Sequence, residues 1–205
     1  ARAYAAAGKG QASGTMPTPR ARAEGSDSYR IVGVGDIMMG SDWPQPYMDD
    51  RMSQGGDPAA VLGAETLSLF QSADVTFGNF EGTIHTSSAG AKACGNPSLC
   101  YTFRSPPWHA AYLKSAGFTL VSNANNHARD FGENGRAETY RHLTAAGLAV
   151  SGGDSAATRF GYQTLADGTR VALVAFGHNP GLMQVNNLPR VAQLVQEAHQ
   201  NADTV

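Results

Sequence analysis

Three short stretches hold side chains whose types and spacing suit metal-assisted acid–base chemistry. They are Asp36 in "VGDIMMG", Asn79 and Glu81 in "FGNFEGTI", and Asn126, His127 and Asp130 in "NANNHARDFG". Carboxylates neutralise a divalent cation, an amide oxygen adds an uncharged ligand, and an imidazole moves protons near neutral pH. This donor set suits a hard or borderline ion such as Mn, Fe, Zn or Mg. Each residue alone also has a plainer reading. An aspartate after a strand is often a turn or cap residue, and asparagines in "NANN" can satisfy loop amides through Asx-turns. The case rests on all three stretches following apolar, strand-like runs.

Those runs come from an alternating pattern. "YRIVGVGD" reads as a strand, "DVTFGNFEG" as a second and "FTLVSN" as a third. Between the first two, "DPAAVLGAETLSLFQSAD" reads as one helix, capped by Asp57 with Pro58 in its first turn. Ser105 is expected to cap a helix in "PPWHAAYLKSAG" that Gly117 closes, and "GENGRAETYRHLTAAG" reads as a helix stopped by Gly147. "LAVSG" suits a short strand, "YQTLADGTRVALVAF" a hairpin turning at Asp167-Gly168, and the stretch from Pro189 toward Asn201 an amphipathic helix. Strand–helix alternation predicts an α/β domain with a largely parallel sheet, in which ligands gather at the carboxyl ends of the strands. Asp36, Asn79, Glu81 and the Asn126-His127 pair would then share one edge.

The chain has 205 residues, enough for one domain with a sizeable core. Residues 1–28, rich in Ala, Gly, Ser, Pro and Arg, read as a flexible tail, and residues 29–205 as the domain. Fifteen Lys and Arg against 17 Asp and Glu leave a net charge of −2, which argues against nucleic acid as the main partner. Apolar runs such as Val171 to Phe176 are too short to cross a bilayer. Cys94 and Cys100 in "CGNPSLC" suit a local disulfide, with two free thiols as the alternative, and a disulfide would place the protein in the periplasm or outside the cell.

The three polar stretches, in this order and spacing, resemble the CapA-type family of capsule-synthesis proteins, and "YTFRSPP" is similar to the family's Phe-x-x-Pro segment. The resemblance spans residues 29–205 and implies a layered α-β-β-α, metallophosphoesterase-like fold associated with poly-γ-glutamate capsule formation. It also implies that Asp36, Glu81 and Asn126 bind metal, with Asn79 a weaker candidate where the superfamily carries an aspartate. His127 would face the leaving oxygen, held by Asp130, while Asn123 and Asn125 would shape the loop or touch substrate. The family continues with a strand ending in a His-Trp-Gly type motif and a later cluster of histidines, neither of which this sequence contains. The resemblance therefore implies that the C-terminal part of the fold is missing. His85, His109, His142, His178 and His199 stand outside the family's motifs.

Two functions remain open on this basis. One is a metal-dependent hydrolase acting on a phosphoester or an anionic polymer; the other is a non-catalytic component that holds such a polymer at the cell envelope. Capsule-synthesis membrane proteins are the partners the resemblance implies. Other chemistries lack their motifs. Met38 stands where a dinucleotide-binding loop needs its third glycine, and the sequence has neither a Gly-x-Ser-x-Gly elbow nor a phosphate-loop Gly-Lys-Ser/Thr.

Overall fold

Apolar residues at alternate positions of the central strands fix the architecture, because all four bury one face against helices and three of them bury residues of the other face against a hairpin. The computed structural model describes residues 28–41, 57–87 and 89–205. The tail expected over residues 1–28 lies, up to residue 27, outside the described residues. Strands β1 (Ile31–Ile37), β2 (Val75–Phe80), β5 (Leu120–Ser122) and β6 (Ala149–Ser151) pair in parallel in that order. Two short strands, β3 (Thr83–Ile84) and β4 (Arg104–Ser105), pair beside them, and β7 (Gly161–Thr164) with β8 (Arg170–Leu173) forms the antiparallel hairpin. The chain is a mixed α/β protein with a parallel central sheet, in agreement with the metallophosphoesterase-like class.

Helices α1 (Pro58–Leu62), α2 (Ala64–Ser72), α3 (Trp108–Ser115) and α4 (Gly132–Ala145) follow strands in turn, and α5 (Leu188–His199) comes last. On one face of the sheet Val32, Val34, Ile37, Phe80, Val121 and Val150 pack with Phe70, Leu113, Tyr140 and Leu143 from the helices. On the other, Val75, Leu120 and Ala149 meet Val171 and Leu173 of the hairpin. Alternation along each strand produces this division, since neighbouring side chains point to opposite faces.

Two expectations need correcting. The segment after Asp57 is two helices, because Gly63 adopts φ 79° and breaks the run; Asp57 does cap the first, accepting from Ala59 N at 2.9 Å. Ser105 does not cap α3. It belongs to β4, where its carbonyl accepts from His85 N at 3.1 Å, and Pro107 occupies the cap position. The pairing partner of Ser105 is distant in sequence, and tertiary pairing wins over the local capping preference.

Strand β1 also carries a feature without a sequence signature. Gly33 pairs with Phe77 and Asp36 with Asn79, so β1 uses one residue more than β2 over that interval. Such an insertion reverses the facing of every residue beyond it. The bulge turns Asp36 onto the same rung as Asn79, which in turn pairs with Ser122 and, through it, with Ser151. A row of polar side chains thus crosses the sheet at its carboxyl edge.

Candidate active site

Asp36, Asn79 and Ser122 are linked along this rung. Asn79 donates from Nδ2 to Asp36 Oδ1 at 2.7 Å, while its Oδ1 accepts from Ser122 Oγ at 3.3 Å and from Asn125 Nδ2 at 3.0 Å. The amide oxygen of Asn79 is therefore taken up within the protein, and its nitrogen orients Asp36. Asn125 also donates to Phe80 O at 2.8 Å and accepts from His127 N at 3.0 Å, the latter an Asx-turn. Asn123, fully buried, donates to Phe80 O and Gly82 O at 2.9 and 3.1 Å. Gly82, at φ 128°, lets the chain turn from β2 to β3 against Phe103, where a Cβ would come within 2.8 Å of the Phe103 Cβ. Of the two roles expected for Asn123 and Asn125, shaping the loop is the one these contacts display.

His127 is held from three sides. Its Nδ1 lies 2.7 Å from Oδ2 of Asp130, a carboxylate with no solvent exposure. Its ring stacks on Phe103 at 4.0 Å between centroids. The Lys92 ammonium sits 2.6 Å from Asp130 Oδ1 and 3.4 Å from His127 Nδ1. At 2.7 Å from a carboxylate, Nδ1 carries the proton and Nε2 is the nitrogen free to exchange one. Asp130 is fixed in its turn by Phe103 N at 2.7 Å.

Glu81 stands at the mouth of this arrangement, half-buried just past β2, its amide bonded to Ile37 O at 3.0 Å. Burial pushes its carboxyl above the ordinary value, and the negative charge of Asp36 pushes it further. Asp130 acts in the same direction, whereas His127 and Lys92 oppose it. Glu81 is thus within electrostatic reach of Asp36, His127 and Asp130. Asn126 lies exposed in the turn after β5.

Among the described residues, no three His, Cys, Asp or Glu side chains are grouped closely enough to hold a metal ion. Among the described residues, the oxygen donors left open at this edge are Asp36 Oδ2, the carboxylate of Glu81 and the exposed amide of Asn126, Asp36 Oδ1 being taken by Asn79. His85 and His109 are buried elsewhere, His85 stacked on Phe131 and His109 edge-on to Trp108, while His178 and His199 are exposed. Lys92 and Phe103 were not among the residues expected at the site. Phe103 lies inside "YTFRSPP", so a signal existed; Lys92, alone between alanines, had none.

Cys94 and Cys100 are joined by a disulfide, with their Cα atoms 5.5 Å apart. No helix among the described residues is long and apolar enough to cross a membrane.

The chain is similar in sequence to known proteins. Over 206 aligned residues the chain is 26% identical to the PGA biosynthesis protein CapA of Bacillus subtilis (strain 168), covering 94% of this chain and 51% of that protein. Two uncharacterized proteins of Sinorhizobium fredii (strain NBRC 101917 / NGR234), y4sH and y4uA, are each 29% identical over 136 residues, 62% of this chain and 25% of theirs. The chain thus spans about half the length of CapA and a quarter of the other two. The family described as bacterial capsule synthesis protein PGA_cap matches residues 30–205, which takes in the bulged strand, all three polar stretches and the Lys92–Phe103 segment. By that match the chain belongs to the bacterial capsule synthesis protein family PGA_cap.

Proposed function

We propose that this chain contributes a metal-dependent, phosphoesterase-like hydrolase site to capsule synthesis. The observation that carries the reading is the imidazole of His127, fixed through Nδ1 by buried Asp130 beside the carboxylates of Glu81 and Asp36. A general acid needs an oriented ring with its second nitrogen free, and this arrangement supplies one.

Asp36, Glu81 and Asn126 fit a divalent ion on grounds of charge and donor type. Two carboxylates lie near each other, one held above its ordinary value by burial and by its neighbour even against the opposing pull of His127 and Lys92, and hard ions favour carboxylate and amide oxygens. Mn, Fe or Zn held there would supply Lewis acidity. The chain's own residues do the rest. Asn79 holds Asp36 in place, Asp130 fixes the tautomer of His127, and Nε2 of His127 gives a proton to the departing oxygen.

The substrate we propose is an anionic envelope polymer or a phosphoester. Poly-γ-glutamate is the leading polymer, because the name of the Bacillus relative assigns it to PGA biosynthesis. The disulfide suits an oxidising compartment, so we place the site on the outer side of the cell membrane, alongside membrane proteins of capsule synthesis.

The test pairs metal content with turnover in wild type, Glu81→Gln and His127→Ala, after incubation with Mn, Fe or Zn. Glu81→Gln should lower bound metal, whereas His127→Ala should keep it and lose hydrolysis of an aryl phosphate or of poly-γ-glutamate. Equal metal in wild type and Glu81→Gln would remove Glu81 from the ligand set. Metal retained by wild type without hydrolysis of either compound would leave the chain as a polymer-holding component.

A further inference from the structure

Lys92 and Phe103 mark the two feet of a loop that meets the His127–Asp130 pair twice. The Phe103 foot is anchored independently of the loop: its carbonyl accepts from Thr83 N at 3.0 Å and Thr83 Oγ1 at 3.1 Å, and its amide donates to Asp130 Oδ2. The Lys92 foot is different. Its amide donates to Asp130 O at 2.7 Å, and its ammonium pairs with Asp130 Oδ1, which brings it to 3.4 Å from His127 Nδ1. The loop between them is largely exposed, with Leu99 at 69% and Tyr101 at 45%; it holds a single 3-10 turn at Pro97–Leu99, and only Thr102, next to Phe103, is buried and in a β-bridge. A loop so lightly packed has little of its own to fix where Lys92 sits. The Cys94–Cys100 bond closes it two residues beyond Lys92.

We infer that Lys92 is a positioning residue for the His127 imidazole, and that the Cys94–Cys100 disulfide keeps it in place. Lys92 neutralises Asp130 and holds its carboxylate in line with Nδ1; Phe103 limits the ring from one face. Opening the disulfide lengthens the unconstrained loop and frees the Lys92 foot, while the Phe103 foot stays bound to β3. A dithiol reductant accomplishes this with full balance. Its sulfurs become a disulfide, the Cys94–Cys100 S–S bond breaks, and two electrons and two protons pass to the cysteines. The meaning for catalysis rests on the role proposed above for His127, but the positioning itself does not.

The experiment follows the His127 ring by nitrogen-15 NMR at one pH without added metal, reading the Nδ1–H tautomer and the exchange rate of that proton. It compares wild type, Lys92→Met, Lys92→Arg and Cys94→Ser/Cys100→Ser, each with and without dithiothreitol. Backbone amides of β2 and β5 report that the fold is intact. Lys92→Met and the double serine variant should each raise Nδ1–H exchange at least tenfold, and Lys92→Arg should restore slow exchange. Dithiothreitol should speed exchange in wild type and add nothing in Lys92→Met, because both act through one contact. Exchange in Lys92→Met equal to wild type overturns the inference, as does a dithiothreitol effect of the same size in both. If the ring responds as expected while every form, assayed separately after incubation with Mn, Fe or Zn, fails to hydrolyse an aryl phosphate or poly-γ-glutamate, the positioning stands and the hydrolase reading falls.

Discussion

The carboxyl edge of the sheet divides into two halves built on opposite terms. In the half formed by Asn79, Asn123, Asn125, Asp130 and Lys92, most side-chain donors and acceptors meet one another or backbone groups, the buried Oδ1 of Asn123 being the exception among the described residues. In the half formed by Asp36, Glu81 and Asn126, burial and the neighbouring Asp36 raise the electrostatic cost of the Glu81 carboxylate and an amide faces solvent. The first half resembles an interior that happens to be polar; the second is left incomplete among the described residues. Polar residues crowded at a strand end are therefore not equivalent. Some build the loop, and only the remainder are open to a ligand. Substitutions should separate the halves, costing stability in the first and binding in the second.

Asp130→Ala should produce the largest effect. It removes the acceptor of His127 Nδ1, of Phe103 N and of the Lys92 ammonium from a site without solvent exposure. Breaking a buried ion pair from one side costs about 3–5 kcal/mol. Chemical denaturation should show a loss of that order, with hydrolysis abolished. A loss below 1 kcal/mol would mean that water replaces the carboxylate and that this half is less closed than the contacts suggest.

Asn123→Ala comes next. The buried carbonyl of Gly82 would lose its side-chain donor, while Phe80 O would keep the one from Asn125 Nδ2, so the loss should be about 1–3 kcal/mol. Because these carbonyls set the turn that leads into β3, the Phe103 stack on His127 should loosen as well. Denaturation gives the first effect and the ring-current shift of the His127 protons the second. An unchanged ring signal beside a large stability loss would uncouple loop shape from imidazole placement.

Much of this division was legible in sequence, though not where it lay. The strands ending near Asp36, Asn79 and Ser122 announce themselves through apolar runs that stop at polar residues, and Gly117 and Gly147 do follow the helices they were expected to close. What sequence could not reveal depends on partners remote along the chain. The bulge that turns Asp36 onto the Asn79 rung exists only relative to β2. Ser105 has the composition of a helix cap, but its carbonyl is claimed by His85 N. Lys92 is an unremarkable loop lysine until the fold sets it against Asp130. Which asparagine is structural and which is open is likewise decided by the distance to Phe80 and Gly82, since all three residue types are identical.

Glu81→Gln tests the open half through pH. In protein treated with a chelator, burial and Asp36 hold the folded carboxyl above its unfolded value of 4.5, so the charged form is disfavoured on folding. The carboxylate therefore costs stability above the folded value and nothing below the unfolded one. Glu81→Gln should stabilise the metal-free protein slightly at neutral pH, with the gain fading as pH falls toward 4.5. Acid also acts on His109, which burial pulls from 6.5 down to about 4, so both proteins lose stability across that interval. Only the difference between their denaturation curves isolates Glu81. A variant less stable than wild type at neutral pH would place Glu81 with the closed half.

Asn126→Ala should barely alter stability, and for that reason it sharpens the contrast most. The side chain is exposed in the turn after β5, and substitutions at such positions usually shift stability by no more than about 0.5 kcal/mol. Asn125, one residue earlier, carries the bonds to Asn79, Phe80 and His127 N that hold this turn, so the backbone at 126 keeps its path without the amide. If Asn126 belongs to a ligand set with Asp36 and Glu81, its loss should weaken Mn binding at least about tenfold, since even outer partners of a metal site contribute that much. Titration calorimetry with Mn, run beside denaturation on the same samples, reads both quantities. Unchanged Mn affinity with unchanged stability would make Asn126 a bystander and reduce the open half to two carboxylates. Adjacent asparagines that differ so sharply, one altering the fold and the other only the ligand, would show that the boundary between scaffold and site runs between residues 125 and 126.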